Sequence, residues 1–447
     1  MTPPAPTADR PLACIVMAGG KGTRMRSATP KVLHPIWGRP LVGWVLAAVR
    51  DAGAERVVVV VPPDAADAVG AAVGDAETVV QEAQLGTGDA VRVAMPALAG
   101  FAGDVLVVSG DTPLLHADLL DGLVAAHRAA GAQATLATFE VYPAGSYGRV
   151  LRDADGSVRV VEARDATPEE LEGGEVNAGL YVFAADALRP ALEGLGTDNA
   201  AGERYLPDVL PRIAAAGGTV VAEPVADPIA LLGVNTRVEL AEAAAFLRQR
   251  ILEDHMLAGA GIVDPASTYV DADVELAPDC VVHPGTVLRG ATRLAAGAEA
   301  GPHSVLDGAV LEAGAKAGPF AHLRPGTHLR AGARVGAFAE TKNADVGARS
   351  KIPHLSYVGD AEIGEDTNIG AGNITANYDG AAKHRTVIGS RVRTGSDCVF
   401  VAPVEIGDDA TTGAGSIITD DVPPGALGIA RARQVVKENY AQRRRDA

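Results

Sequence analysis

Small, mostly aliphatic side chains recur at every sixth residue over most of the second half of the chain. The recurrence begins near residue 272, shifts phase several times and fills its turns with Gly and Asp, as in IGEDTNIGAG (363–372). Its positions are Leu276, Val282, Leu288, Leu294, Leu311, Ala317, Leu323, Leu329, Val335, Val346, Ile352, Val358, Ile363, Ile369, Ile406, Thr412 and Ile418. A period of six fits neither an α-helix nor an isolated strand, but it is typical of a parallel β-helix in which each flat face points one side chain inward. The sequence therefore predicts a hexapeptide-repeat β-helix over residues 259–447.

The first half of the chain has a different rhythm. Valine-rich segments bounded by turn residues alternate with stretches such as 40–54, in which apolar residues follow helical spacing. The strand-like segments are 13–19, 56–62, 104–111 and 133–141. This alternation predicts a Rossmann-like α/β domain over 1–237, with a mostly parallel sheet, helices on both faces and ligands at the carboxyl ends of the strands.

A helix is expected between the two halves, over residues 238–258. Its apolar residues step by four, three and four, which gives one stripe on a charged helix. The stripe consists of Leu240, Ala244, Leu247 and Ile251. We interpret this segment as a linker helix.

Composition limits the partners of this chain. A net charge of −17 over 447 residues argues against nucleic acid, and the basic run 443–445 is read as a solvated tail. The three cysteines are too few and too far apart to indicate a disulfide framework or a zinc site. A signal-peptide pattern and an apolar run of 18 residues are both absent from the sequence, so we expect a cytoplasmic protein without a membrane partner.

A glycine-rich loop follows the first predicted strand. Its sequence, MAGGKGTRMRSATPK (17–31), places the cations Arg24 and Lys31 around exposed backbone, an arrangement suited to an anion. It is not a Walker A loop, because no Gly-Lys-Ser/Thr follows a four-residue spacer, and it is not a dinucleotide fingerprint, because Arg24 stands where glycine is needed. A surface turn with solvated charges is the alternative interpretation.

Further motifs follow this loop in a fixed order. The first half contains Pro30-Lys31, QLGTGDA (84–90), SGD (109–111), YGRV (147–150) and GVN (233–235), and the repeats contain HLSYVGD and IGAGNITANYDG. In this combination the chain resembles the bacterial bifunctional N-acetylglucosamine-1-phosphate uridylyltransferases / glucosamine-1-phosphate N-acetyltransferases. It departs from the family pattern at Ser109, where tyrosine is expected.

The resemblance implies nucleotidyl transfer in the first half. UMP would pass from UTP to N-acetylglucosamine 1-phosphate, with Arg24 and Lys31 as catalytic cations and Asp111 and Asn235 as ligands of Mg²⁺. The implied nucleotide-binding residues are Met17, Ala18, Gly19, Gly20, Lys31, Gln81, Gly86 and Thr87, with Gln81, Gly86 and Thr87 reading uracil. The implied sugar-phosphate residues are Ser109, Gly110, Gly148, Glu162, Asn177 and Asn235.

The resemblance implies acetyl transfer in the second half. His354 would be the general base that takes a proton from the amine of glucosamine 1-phosphate, and Glu340 would orient its imidazole. The implied amino-sugar phosphate residues are Arg324, Lys342, Tyr357 and Asn368. The implied acetyl-CoA residues are Ala371, Asn377, Tyr378, Ser396, Ala414 and Arg431. The family also implies a left-handed β-helix, a homotrimer with sites at the subunit seams, and a role in peptidoglycan precursor synthesis.

Two other functions remain open at this point. The chain could be a sugar-1-phosphate nucleotidyltransferase whose β-helix serves only trimerisation or regulation, or a non-catalytic sugar-nucleotide sensor. His354, Asn377 and Tyr378 argue against an idle β-helix, and the set of Arg24, Lys31, Asp111 and Asn235 argues against a sensor.

Overall fold

The computed structural model describes residues 10–20, 22–153 and 156–447. The chain divides into two compact units, Met1–Leu247 and Arg248–Ala447. The division point lies inside a long helix, Arg237–Leu257. The predicted linker, residues 238–258, differs from this helix by one residue at each end. The division between the compact units falls inside the linker instead.

The first unit is built on a mostly parallel sheet. In spatial order its strands are Val220–Pro224, Ala134–Glu140, Glu175–Ala184, Asp104–Ser109, Leu12–Met17, Arg56–Val61 and Glu77–Val80. The strand Glu175–Ala184 runs antiparallel to both of its neighbours and also pairs with a hairpin formed by Arg149–Arg152 and Val158–Val161. A short hairpin, Pro35–Ile36 with Arg39–Pro40, follows the glycine-rich loop.

Both faces of this sheet are covered. Successive side chains of a strand point to opposite faces, so Cys14 and Val16 join one apolar cluster while Ala13 and Ile15 join the other. The helices are Leu41–Asp51, Ala66–Ala72, Thr87–Ala94, Ala117–Ala129, Ala185–Glu193 and Val209–Ala215. Short 3₁₀ helices are Thr23–Met25, Lys31–Leu33, Pro63–Ala65, Met95–Leu98, Glu170–Glu172, Leu206–Asp208 and Pro228–Leu231. The predicted α/β architecture is confirmed.

The second unit is a parallel β-helix with three faces. Face 1 consists of Gly261–Ile262, Val281–Val282, Glu299–Ala300, Lys316–Ala317, Arg334–Ala337 and Lys351–His354, continued through Asn368 and Arg393 to Thr411–Thr412 and Leu427–Gly428. Face 2 consists of Tyr269–Val270, Val287–Arg289, Val305–Asp307, His322–Leu323, Ile374–Ala376, Val399–Val401 and Ile417–Ile418. Face 3 consists of Glu275–Leu276, Arg293–Leu294, Val310–Leu311, His328–Leu329, Thr386–Ile388 and Val404–Ile406. Two longer strands, Glu340–Val346 and Tyr357–Ile363, run from face 2 into face 3.

The six-residue period of the sequence corresponds to the interior of this β-helix. Val282, Leu288 and Leu294, one on each successive face, are all buried, and equivalent residues stack in register from coil to coil. Every position of the predicted repeat is buried in the same way. The parallel pairing is consistent with a left-handed β-helix, so the predicted fold class is confirmed.

The linker helix contributes to two apolar cores. Leu247 is fully buried in a cluster with Leu41 and Leu114, and the indole N–H of Trp37 donates to the Ala244 carbonyl oxygen at 2.7 Å. Leu252 belongs instead to the core of the β-helix. A final short helix, Tyr440–Arg445, lies in the exposed tail. In the described part of the chain, no helix is both long and apolar enough to cross a membrane.

Candidate functional site

A cavity of about 430 Å³ opens beside the glycine-rich loop, at the carboxyl ends of the strands Leu12–Met17 and Asp104–Ser109. All the residues predicted to bind nucleotide line it, namely Met17, Ala18, Gly19, Gly20, Lys31, Gln81, Gly86 and Thr87. A parallel α/β sheet collects ligands at this edge because the loops that follow its strands diverge there. The structure therefore brings the whole predicted nucleotide set to one cavity.

Gly22 shapes the loop against this cavity. Its φ is +58°, a conformation that favours glycine, and a Cβ at this position would lie 2.7 Å from the Cβ of Lys31. The loop can therefore fold back onto the 3₁₀ turn that carries Lys31. The adjacent Lys21 lies outside the described residues.

Gln81 is held by its own neighbours. It is buried, and its Nε2 donates to the Gly86 carbonyl oxygen at 3.1 Å and to the Asp89 carboxylate at 3.0 Å. Gly86 in turn has φ +102°, and a Cβ there would lie 2.6 Å from the Arg204 carbonyl oxygen. Neither Asp89 nor Arg204 was predicted as a site residue, because these two residues, which contact each other, are 115 positions apart in the chain.

A second cavity, of about 420 Å³, shares Met17, Thr87, Ser109 and Asp111 with the first. Its lining includes Arg24 and the predicted sugar-site residues Ser109, Gly148, Glu162, Asn177 and Asn235. Gly110 lines neither cavity and donates its N–H to the Met17 carbonyl oxygen at 2.9 Å. Two substrates placed in these cavities would meet at Asp111.

Lys31 and the two predicted metal ligands converge at the junction. The Lys31 ammonium forms an ion pair with the Asp111 carboxylate and donates to Asn235 Oδ1 at 3.0 Å. Ser109 Oγ donates to the other carboxylate oxygen of Asp111 at 2.6 Å. Carboxylate and amide oxygens are among the ligands that Mg²⁺ prefers, so Asp111 and Asn235 would fit a magnesium ion, with substrate oxygens and water as its other ligands. Within the described residues no group of three or more His, Cys, Asp or Glu side chains could hold a metal by itself.

Asn235 is oriented by a capping box that the sequence analysis missed. Glu239 accepts from the backbone N–H groups of Asn235 and Thr236, each at 2.7 Å, and Thr236 Oγ1 accepts from the Glu239 N–H at 3.2 Å. The Thr-x-x-Glu spacing before an apolar helix is a recognisable signal for this motif.

The sugar side of the second cavity is acidic. Burial raises the pKa of Glu162, and the charges of Asp165, Asp208 and Glu203 raise it further. Burial likewise raises the pKa of Asp208. Asn177 accepts from the Gly179 N–H at 3.0 Å, which fixes its side chain beside Glu162 in the cavity wall. Such a wall offers acceptors to sugar hydroxyl groups.

In the β-helix, four of the predicted acetyl-transfer residues stack at the corner between faces 1 and 2. Backbone hydrogen bonds join three of these residues to the next coil. The carbonyl oxygen of His354 accepts from the Gly372 N–H at 3.1 Å, that of Ala371 from the Asp397 N–H at 2.7 Å, and that of Ser396 from the Gly415 N–H at 2.8 Å. These bonds place Ala371, Ser396 and Ala414 above one another, with exposed His354 at the bottom.

A cationic cluster lies at the next corner, where face 2 passes into face 3. Lys342 lies beside Lys383, and the positive charge of Lys383 lowers the pKa of Lys342. Asp360 accepts from Asn343 at 2.7 Å and from Asn377. Sequence reasoning missed Lys383, which reaches the cluster on the loop between Asn377 and His384. Two adjacent ammonium groups are suited to a phosphate group.

The remaining predicted residues are placed differently. Arg324 forms an ion pair with Glu340 at 2.9 Å, so within one chain Glu340 contacts this arginine rather than orienting an imidazole. Asn368 lies on face 1, where it bridges Lys351 and Arg393, and is not part of the cationic cluster. Tyr378 is exposed and its hydroxyl donates to the Gly380 carbonyl oxygen at 2.7 Å. Arg431 is exposed beyond the last strand.

Comparisons with known proteins support the prediction of a nucleotidyltransferase domain in the first half and hexapeptide repeats in the second. Residues 14–214 match the model of the MobA-like NTP transferase domain, and residues 385–420 match the bacterial transferase hexapeptide model of six repeats. The whole chain is similar to proteins named bifunctional protein GlmU. It is 50% identical to that of Kineococcus radiotolerans (97% of this chain, 93% of the relative). It is 49% identical to that of Streptomyces avermitilis (98% and 96%) and 48% identical to that of Mycolicibacterium vanbaalenii (98% and 94%).

An NTP transferase domain followed by a hexapeptide-repeat β-helix defines a two-domain transferase. At this identity and coverage, the chain belongs to the family of bifunctional GlmU proteins. The predicted family is therefore confirmed, and with it the prediction of one enzyme that has a nucleotidyltransferase half and an acyltransferase half.

Proposed function

We propose that this enzyme makes UDP-N-acetylglucosamine in two steps. The β-helix acetylates glucosamine 1-phosphate with acetyl-CoA, and the α/β unit then joins the product to UMP from UTP. The observation that carries this proposal is the pair of adjoining cavities that meet at Asp111, since a condensation of two phosphorylated substrates needs two subsites with one shared centre. These cavities lie in the α/β unit and would also suit an enzyme with nucleotidyl transfer as its single activity. The acetyl-transfer residues of the β-helix therefore need a separate test.

In the first cavity the backbone of Ala18–Gly20 would bind the phosphates of UTP, and Gln81 and Gly86 would bind the base. In the second, Gly148, Glu162 and Asn177 would hold the sugar. A phosphate oxygen of N-acetylglucosamine 1-phosphate attacks the α-phosphorus of UTP, and the bond to pyrophosphate breaks.

Charge stabilisation is the main task of the protein in this step. Arg24 and Lys31 would neutralise the triphosphate and the leaving pyrophosphate. Asp111 and Asn235 would hold Mg²⁺, which supplies positive charge to the phosphate oxygens when bound. Lys31 must then leave its ion pair with Asp111 to reach the triphosphate.

In the β-helix, the amino-sugar phosphate would lie across face 2. Its phosphate group would contact Lys342 and Lys383 at one corner, and its amine would approach His354 at the other. Tyr357, at the start of the strand that crosses face 2, would contact the amino sugar between these two corners. His354 would accept the ammonium proton, the amine would attack the thioester carbonyl carbon, and the carbon–sulfur bond would break to release the coenzyme A thiol.

Acetyl-CoA would lie along the corner of Ala371, Ser396 and Ala414, with Asn377, Tyr378 and Arg431 as further contacts. We also propose a homotrimer built through the β-helix. A row of stacked rings at the same corner supports this: His303, Phe320 and Phe338 stack with centroids 5.3 and 5.1 Å apart. Phe338 is 61% exposed within one chain, and a second subunit packed on this row would cover it.

The test follows thiol and pyrophosphate as separate products. The purified protein is incubated with glucosamine 1-phosphate, acetyl-CoA, UTP and Mg²⁺, and each substrate is then omitted in turn. We expect thiol release without UTP, and pyrophosphate release without acetyl-CoA only when N-acetylglucosamine 1-phosphate is supplied. Pyrophosphate release with no thiol release under any condition would show a single-activity nucleotidyltransferase instead.

A further inference from the structure

We propose that Asp89 is a positioning residue for nucleotide selection. It holds the side-chain amide of Gln81 with Oε1 toward the nucleotide cavity, so that the site accepts a base with an imide N–H, such as uracil, and rejects cytosine. The inference rests on the proposed function, because it concerns the nucleotide of the same cavity. Asp89 does not line this cavity itself and acts through Gln81.

The two carboxylate oxygens of Asp89 accept hydrogen bonds from different side chains. The residue is only 2% exposed, in the first turn of the helix Thr87–Ala94. Its Oδ1 accepts from Arg92 at 2.7 Å and from Arg204 at 3.1 Å, while Oδ2 accepts from Gln81 Nε2 at 3.0 Å. Burial alone would raise the pKa of Asp89, but the hydrogen bonds from Gln81 and Arg92 and the two arginine charges hold it below its ordinary value. Asp89 is therefore an ionised acceptor at neutral pH.

This arrangement fixes which end of the Gln81 amide faces the cavity. Nε2 has two partners, the Gly86 carbonyl and the Asp89 carboxylate, and neither can donate a hydrogen bond. An amide turned by 180° would place its oxygen against both acceptors, so the observed orientation is strongly favoured. Oε1 lies 3.0 Å from the position of a Cβ on Gly19, which lines the same cavity. It accepts none of the hydrogen bonds formed among the described residues.

An oxygen in this place discriminates between the two pyrimidines. The N3–H of uracil donates to it. The N3 of cytosine carries a lone pair instead, so two acceptors would face each other beside the buried Gln81, which costs the hydrogen bond and leaves both groups unpaired. If the amide could rotate freely, it would present an N–H to cytosine as readily as an oxygen to uracil. Asp89 removes that freedom.

The test is Asp89→Asn, assayed with UTP and CTP. Arg92 and Arg204 can only donate, so they retain the oxygen of the new amide and turn its NH₂ group toward Gln81. Gln81 then has an acceptor, Gly86, and a donor on the same side, and its orientation is no longer fixed. We expect the ratio of kcat/KM for UTP to that for CTP to fall by about tenfold or more, the loss that follows from one buried hydrogen-bond mismatch.

Arg92→Gln is the matched control. Arg92 contacts the same carboxylate but not Gln81, and Arg204 remains, so the nucleotide ratio should stay at the wild-type value. Both nucleotides are assayed on one preparation, so a partly unfolded fraction does not change the ratio. Should Asp89→Asn give no folded protein, Asp89→Ser also removes the acceptor-only group and should lower the ratio.

The outcomes separate this inference from the proposed function. An equal loss of UTP and CTP turnover in the Asp89 variants, with the ratio unchanged, would overturn the positioning role and leave Asp89 a structural residue. A wild-type protein that releases no pyrophosphate from UTP, or shows no preference for UTP, would overturn the proposed function itself.

Discussion

The Lys31 ammonium group occupies the point at which the side chains of Asp111 and Asn235 converge, paired with the first and hydrogen-bonded to the second at 3.0 Å. The side chains of Lys31 and Asp111 are only 10% and 14% exposed, so the pair is poorly solvated. Removal of one partner from such a pair leaves an uncompensated charge. A divalent cation held by Asp111 and Asn235 would take the place of the lysine ammonium, which would then be free for the triphosphate.

The first prediction concerns Lys31→Met. Asp111 loses its cation, so Mg²⁺ should bind the nucleotide-free protein more tightly than it binds the wild type. Pyrophosphate release should fall by on the order of 100-fold, because a charge that stabilises the transition state is lost. Isothermal titration with Mg²⁺ and a pyrophosphate assay measure the two effects. Arg26→Met, an exposed cation of the same loop, is the control; equal Mg²⁺ affinity in Lys31→Met and wild type would contradict the exchange.

Asp111→Ala should separate the two activities. Pyrophosphate release should disappear because a predicted Mg²⁺ ligand at the junction of the cavities is removed, while thiol release from acetyl-CoA continues. Ser109→Ala removes only the hydroxyl that donates to Asp111 at 2.6 Å, so its loss should not exceed about tenfold. Parallel loss of thiol and pyrophosphate release in a folded Asp111→Ala protein would contradict two independent sites.

Glu162→Gln should stabilise the protein while weakening sugar binding. The pKa of Glu162 is raised by burial and by nearby carboxylates, so the folded chain disfavours its ionised form. This penalty is absent below the pKa of the unfolded chain, near the ordinary 4.5, and is complete once the pH exceeds the raised folded value. Calorimetry should show a melting temperature higher by about 2 °C at pH 7 and unchanged at pH 4.

The cost of Glu162→Gln should appear in the KM for N-acetylglucosamine 1-phosphate, which rises as a charged acceptor is lost. Glu169→Gln, an exposed carboxylate of the same unit, should change neither quantity. A lower melting temperature at pH 7 in Glu162→Gln would mean that the ionised carboxylate stabilises the fold.

Much of the β-helix could be predicted because its core obeys a purely local rule. Leu288, Leu323 and Ile352 are fully buried, as the six-residue spacing requires. The same count, followed further, assigns two of the predicted amino-sugar residues to different faces. Asn368 precedes the inward Ile369 on face 1, whereas Tyr357 precedes the inward Val358 on face 2.

The residues that the sequence did not reveal depend on distant partners. Lys383 lies in a loop that interrupts the repeat, and only the folded chain brings it to Lys342. Asp89 has the sequence features of an ordinary carboxylate at a helix N-terminus, and its second guanidinium partner, Arg204, is 115 residues away. Periodicity and local motifs carry no information about such contacts.

Lys383→Met should alter the pH dependence of amino-sugar binding. The adjacent Lys383 lowers the pKa of Lys342, so Lys342 loses its charge at a lower pH than an isolated lysine. In the wild type, the KM for glucosamine 1-phosphate should therefore begin to rise at a lower alkaline pH than in the variant. At pH 7 the KM of the variant should be higher, because one of two phosphate-binding cations is missing.

A series of KM values from pH 7 to 10, measured through thiol release, tests this prediction. Lys316→Met is the control, since that lysine pairs with Glu299 elsewhere on the β-helix. If the KM for glucosamine 1-phosphate began to rise at the same alkaline pH in wild type and Lys383→Met, Lys342 and Lys383 would not share a phosphate.

His354→Ala tests whether the β-helix performs chemistry at all. The substitution removes the proposed base, whose contribution is typically about 100- to 10,000-fold in rate, but leaves the cations Lys342 and Lys383 in place. The kcat for thiol release should therefore fall by that factor, while the KM for glucosamine 1-phosphate changes little. Since His354 is exposed at a corner of the β-helix, its loss should not reduce the melting temperature.

His322→Ala, which removes an exposed histidine of face 2, is the matched control and should keep normal acetyl transfer. Pyrophosphate release from UTP and N-acetylglucosamine 1-phosphate should be the same in both variants, because that reaction uses residues of the other unit. A rate loss in His354→Ala that recovers at high pH would still identify a base, because a higher fraction of the amine is then already neutral. Near-normal thiol release at pH 7, in contrast, would make His354 a structural residue and leave the acetyl-transfer proposal resting on Asn377 and Tyr378.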